Sequence, residues 1–185
     1  MSNSVLDGAD IFILADETAI GSRPLESTKL LAKAIMEAEN VFNHDQAYQE
    51  MRGVLAEKGK KAHPTDILCS TAMSIALENN VDLFLCITSN GRIAKFLAKQ
   101  RPMQPILACS IHSNVVRQVN STRGVQGYKI PAYLKRHQSK LLELVLKMAK
   151  EQELCYPGNK VMIFSVTDEG KVTEGINFKI LDIEE

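Results

Sequence analysis

The stretch VDLFLCITSNGRIAKFLAKQRP at positions 81–102 constrains this chain most, because it passes from an apolar run through a polar turn into an amphipathic repeat. Residues 81–88 are apolar with β-branched and aromatic members, the length and content of a strand buried on both faces. The turn is Thr88-Ser89-Asn90-Gly91. Gly91 admits backbone angles that other residues resist, and Ile93, Phe96 and Leu97 follow at helical spacing toward a stop before Pro102. A helix that opens directly after a buried strand points unpaired N–H groups at whatever lies above the strand's carboxyl end. The Thr88 and Ser89 hydroxyls, the Asn90 amide, the Gly91 backbone and the Arg92 guanidinium all stand at that mouth. A phosphate, sulfate or carboxylate is an expected ligand there. A plain helix cap fits the same residues, since Ser, Thr and Asn are the default capping residues whether or not anything binds.

The remainder of the chain supplies the neighbours such a strand requires. Residues 10–15 (DIFILA) read as a short strand and 16–23 as a polar turn. Pro24 suits the first turn of a helix to about Asn43, with Leu31, Ile35, Ala38 and Phe42 on one face. This β/α unit cannot cover both faces of its strand, so it leans on the next domain or belongs to something larger. Residues 45–63 turn polar and charged, with Gly53, Gly59 and the Lys58, Lys60, Lys61 cluster, and read as a linker or partly helical hinge. Thr65 after Pro64 is expected to cap a helix that buries Leu68, Ala72 and Ile75 and ends at Asn79-Asn80.

Beyond the central stretch, residues 105–110 predict a strand, and Ser113 or Asn114 opens a short helix bearing Val115, Val116 and Val119. A brief strand is expected at 128–130, then a helix over about 138–152 packing through Leu142, Val145, Leu146 and Ala149. Residues 161–166 form another buried strand, and a hairpin turning at 168–171 returns through 172–183. Alternation of this kind predicts an α/β three-layer sandwich: a mostly parallel sheet, helices on both faces, and an antiparallel edge strand. Ligands in such sheets favour strand carboxyl ends near a switch point, which returns attention to positions 88–92. With one glycine in the turn, the dinucleotide fingerprint is absent.

Charge narrows the partners. With 22 basic and 22 acidic residues, nothing favours nucleic acid or an anionic membrane. No segment approaches the roughly 20 apolar residues of a membrane span, and the N-terminus lacks a signal peptide's basic flank, so a cytoplasmic location is expected. Cys69, Cys86, Cys109 and Cys155 show no zinc or redox spacing, and Cys86 and Cys109 fall inside strand-like runs as small hydrophobes. His44, His63, His112 and His137 are scattered. No metal site, and no nucleophile–base–acid set, is legible in their order.

Other residues carry a resemblance. Asn3 through Asp10 (NSVLDGAD), then Glu17-Thr18-Ala19 with Gly21, Pro24 and Glu26, resembles the pyruvate kinase segment NAVLDGAD…SGETAxGxxPxE. It continues through Ser89-Asn90-Gly91-Arg92-Ile93-Ala94, Arg101-Pro102, Pro105-Ile106, Arg117-Gln118 and Arg123-Gly124-Val125, similar to that family's SGRTA…RP…PI…RQ…RGV series. The resemblance implies three parts: residues 1–44 as a remnant of the catalytic (β/α)8 barrel, 45–63 as a linker, and 64–185 as the C-terminal α/β domain.

It also implies that the residues handling phosphoenolpyruvate, magnesium and potassium belong to the full-length parent, leaving no catalytic residue and no cofactor in this chain. The family's Ser-Gly before Glu-Thr is Ala15-Asp16 here, and its lysine after Thr-Ala is Ile20. In members activated by fructose bisphosphate, the loop matching Thr88 to Ile93 offers hydroxyls to a sugar phosphate, and a loop near the terminus closes over it. Here Asn90 and Ile93 occupy hydroxyl positions and the terminal loop carries Asp168 and Glu169, so a phosphorylated effector is expected to bind weakly. A homodimer or homotetramer, formed through terminal strands and helices, is implied as well. The competing expectation is a free-standing α/β anion-binding or scaffolding module without kinase activity.

Overall fold

The computed structural model describes residues 2–136, 138–166 and 176–183. The chain divides into two compact units, 1–44 and 45–185.

In the first unit, helices α1 (Ser2–Leu6) and α2 (Asp16–Ala19) lie against the longer α3 (Pro24–Asn40). Pro24 opens α3 as expected for a residue whose missing N–H is unneeded in the first turn. Val5, Leu31 and Ala38 are buried. Residues 10–15, expected as a strand, are not one, and the polar turn expected at 16–23 begins with α2. A strand is defined by its ladder, and DIFILA has none among the described residues, however apolar its composition.

The second unit starts with α4 (His44–Lys58), a full helix over most of the stretch expected as a linker or partly helical hinge. Its apolar content is thin, but Tyr48 and Leu55 are buried, so tertiary packing holds a helix that pattern alone leaves doubtful. A short 3₁₀ turn (Gly59–Lys61) leads to α5 (Pro64–Glu78). The cap of α5 is His63, not Thr65: the Thr65 N–H donates to His63 Nδ1 at 3.2 Å, while Thr65 sits buried in the first turn. The buried face centres on Cys69, Ala72, Met73 and Ala76, with Leu68 and Ile75 at its margin.

There follow β1 (Leu83–Ile87), α6 (Arg92–Lys99), β2 (Ile106–Ser110), α7 (Ser113–Val119), β3 (Val125–Lys129), a 3₁₀ turn (Ala132–Arg136), α8 (Gln138–Glu151), β4 (Lys160–Val166) and β5 (Ile176–Asp182). β3 begins three residues before the sequence expectation. Its extent is set by backbone pairing with β2, Ile106 opposite Val125 through Ser110 opposite Lys129, rather than by its polar and glycine-containing sequence. α8 buries Leu141, Val145, Met148 and Ala149, with Leu142 and Leu146 packed beside them.

The five strands form one sheet in the order β3-β2-β1-β4-β5. The β3-β2, β2-β1 and β1-β4 pairs are parallel, and β4-β5 is antiparallel. Side chains alternate across it as a pleat requires. Phe84, Cys86, Ile106, Ala108, Met162 and Phe164 meet α5, α6 and α7 on one face; Leu83, Leu85, Leu107, Cys109, Val161 and Ile163 meet α8 on the other. Every residue of β1 except Ile87 is buried, which accounts for the unbroken apolar run that dominates the sequence. The turn expected at 168–171 lies outside the described residues.

Candidate functional site

The strand order creates the site's location. From β1 the chain steps outward to β2 and β3, then crosses to place β4 on the other flank of β1. Adjacent connections therefore part company at the carboxyl ends of β1 and β4, the crevice where open α/β sheets bind ligands. Thr88 leaves β1 there, with its N–H donating to the Cys109 carbonyl at 2.9 Å. Ser165 stands across the crevice, paired with Ile87 in the β1–β4 register. No sequence argument singled out Ser165; a lone hydroxyl in the apolar run 161–166 was the available signal.

At the turn, the loop's own side chains satisfy part of the helix mouth. The Gly91 N–H donates to Thr88 Oγ1 at 3.0 Å, and the Arg92 N–H donates to Asn90 Oδ1 at 3.0 Å. Thr88 Oγ1 in turn donates to Asn90 Oδ1 at 3.4 Å. The opening turn of α6 leaves its first N–H groups without intrahelical acceptors, and these bonds occupy those of Gly91 and Arg92, not those of Ile93 and Ala94. Thr88 is 5% exposed, Ser89 is half-buried, and Asn90 and Arg92 face solvent.

Gly91 has φ +74, and a Cβ there would stand 2.7 Å from Val119 Cγ1. The position demands glycine twice over, for backbone angle and for space. Capping thus employs Thr88, Asn90 and Gly91. It leaves half-buried Ser89 and exposed Arg92, which makes no ion pair among the described residues, outside the capping bonds.

The cysteines are chemically quiet. Burial pushes the Cys69 thiol up to about 12, aided by the nearby Asp66 carboxylate. Burial lifts Cys109 to about 12, and burial together with the neighbouring Cys69 and Cys109 thiols carries Cys86 well above the ordinary thiol value. A thiol held protonated is a poor nucleophile and a poor metal ligand. Among the described residues no three His, Cys, Asp or Glu side chains gather to hold a metal ion, and no helix is long and apolar enough to cross a membrane.

Comparison with known proteins agrees with this architecture. The chain is 32% identical to a pyruvate kinase of Eimeria tenella over 162 residues, covering 88% of this chain and 30% of that protein. It is 29% identical to a pyruvate kinase of Dictyostelium discoideum over 185 residues, 100% of this chain and 36% of the relative. A solved structure of Cryptosporidium parvum pyruvate kinase superimposes with a TM-score of 0.84 at 26% identity, across 98% of this chain and 34% of that one. The chain thus spans about a third of the length of the curated relatives it matches. Residues 66–178 match the family described as pyruvate kinase, alpha/beta domain, in keeping with the parallel sheet and its antiparallel edge, and the chain belongs to that family.

Proposed function

We propose that this chain is the C-terminal regulatory and oligomerisation portion of a cytoplasmic pyruvate kinase, whose full-length parent converts phosphoenolpyruvate and ADP to pyruvate and ATP. The observation that carries it is the match of residues 66–178 to the family's α/β domain in a chain spanning about a third of its relatives' length. Phosphoryl transfer rests on positioned cations and metal ions. In this reading magnesium and potassium act in the parent's barrel, and the isolated chain is expected to turn over nothing. Residues 1–44 are read as a remnant of that barrel. Exposed Ile11, Ile13, Leu25, Leu30 and Met36 support this, as surfaces that a barrel's neighbouring units would cover.

The turn at Thr88, Ser89, Asn90, Gly91 and Arg92 is the effector site of this reading. One phosphate group meets the α6 mouth, with Ser89 and Arg92 as its side-chain contacts. Calorimetric titration with inorganic phosphate and with fructose bisphosphate tests it. Phosphate binding that weakens in Arg92→Ala and Ser89→Ala is expected, with the bisphosphate no tighter. Anion affinity unchanged in both variants would leave the turn a helix cap. Turnover by the pure chain in a lactate-dehydrogenase-coupled assay, lost on mutating one of its own residues, would overturn the non-catalytic assignment.

A further inference from the structure

We propose that the cleft between α4 and α5 binds a small organic carboxylate with a short aliphatic body. It is a second site, remote in the chain from the turn at 88–92 and independent of the reading above. The cleft holds about 410 Å³ and is lined by Arg52, Leu55, Ala56, Ile67, Ser70 and Ser74, among others, with no carboxylate among the described residues of its wall. That volume is at the small end of ligand pockets.

Two donor groups in it, the Ser70 hydroxyl and the Arg52 guanidinium, make no hydrogen bond or ion pair among the described residues. Ser70 is 8% exposed, yet its hydroxyl has no hydrogen-bond partner among the described residues. Its neighbour Thr71 does what a helical hydroxyl commonly does, donating to the Ile67 carbonyl at 3.0 Å. The Ser70 hydroxyl lines the cleft without being sealed from solvent, so its donor and acceptor are open to a ligand there. Arg52 makes no ion pair among the described residues; its guanidinium lies over the Tyr48 ring, 5.8 Å from the centroid.

The support under Arg52 is fixed. Tyr48 is 2% exposed and donates its hydroxyl proton to the Ser70 carbonyl at 2.9 Å, which leaves the Ser74 hydroxyl to donate to the Tyr48 oxygen. Ser74 is thereby spent. Arg52 and Ser70 remain as donors, the first a planar fork matched to a carboxylate. A single positive charge balances a monoanion better than a phosphate dianion, and Leu55, Ala56 and Ile67 offer an apolar wall to a short carbon chain.

The test is a nitrogen-15 NMR titration of the full 185-residue chain with sodium butyrate, ionic strength held constant with sodium chloride. Saturable shifts are expected at the Ser70, Thr71 and Ser74 amides and at Arg52 Nε, with the amides of residues 88–92 unmoved. Arg52→Gln should weaken butyrate binding roughly tenfold or more, the loss of a charge-assisted contact. Ser70→Ala should weaken binding while leaving the melting temperature unchanged or higher, because the hydroxyl it removes has no partner in the fold. Three results would each overturn the proposal. They are shifts that never saturate or survive Arg52→Gln, inorganic phosphate saturating the same signals at lower concentration, and signals that move with protein concentration alone, as when a second copy covers the cleft.

Discussion

Gly91 shows how narrow the tolerances are at a single residue. Its φ of +74 lies where a side chain is strained, and any Cβ would press into Val119 Cγ1 at 2.7 Å. Gly91→Ala should cost about 1–3 kcal/mol, combining left-handed backbone strain with displacement of the α7 valine. Urea denaturation measures this directly, and a midpoint equal to wild type would show that the turn relaxes to another geometry. Gly127 is more constrained still, since a Cβ there would stand 2.4 Å from the Val116 carbonyl oxygen, which is backbone and cannot rotate away. The need for glycine at Gly91 is legible in the sequence, because a strand-to-helix turn this short needs a positive φ. That Val119 also excludes a side chain is not, for nothing in the spacing brings α7 to the turn.

Elements are fastened to one another by few polar ties, and the strongest joins α5 to α6. Asp66, in the first turn of α5 and 4% exposed, accepts from Lys99 Nζ and from Gln100 Nε2, the latter at 3.1 Å. Gln100 is fully buried, and its Oε1 has no partner among the described residues. Asp66→Ala would strand the Gln100 amide and the partly buried Lys99 ammonium, costing about 2–3 kcal/mol. The measurement is again a denaturation midpoint. A loss under about 0.5 kcal/mol, the level of an exposed ion pair, would mean that solvent replaces the carboxylate freely. A sequence reading takes Asp66 for an ordinary first-turn acid; only the packing of α6 across α5 turns it into a buried acceptor.

For the whole molecule, buried thiols on α5 and in the sheet tie stability to alkaline pH. Cys69 and Cys109 are held up to about 12 in the folded state, against an ordinary thiol value of 9.0. Between those values the unfolded chain releases thiol protons that the folded chain keeps. The stabilisation is therefore complete below about 9 and is lost as pH rises toward 12. Each such thiol steepens the fall by up to about 1.4 kcal/mol per pH unit. Lysines and tyrosines titrate in the same range, so the readout is the difference in slope between wild type and Cys69→Ala/Cys109→Ala, from pH 8.5 to about 10.5. Identical slopes would place these thiols within reach of solvent.

The sequence by itself determined the α/β class, the buried central strand, the alternation of helices around it and the kinship carried by NSVLDGAD and SNGRIA, because those rest on local period and on residue type. Pro24, Gly91 and the apolar runs at 83–87 and 106–110 speak for themselves through backbone freedom and hydrophobicity. Tertiary structure alone decided the rest. DIFILA is no strand because ladder partners come from elsewhere in space; 45–58 is a helix because Tyr48 and Leu55 find a core; β3 takes its length from β2. The two proposed sites follow the same division. The proposal at Thr88 to Arg92 rests on spacing, since a strand, a turn and a helix mouth are contiguous in the chain. The Arg52 and Ser70 cleft could not be found that way, since it exists only where two helices, each ordinary in sequence, leave a guanidinium and a hydroxyl facing one space.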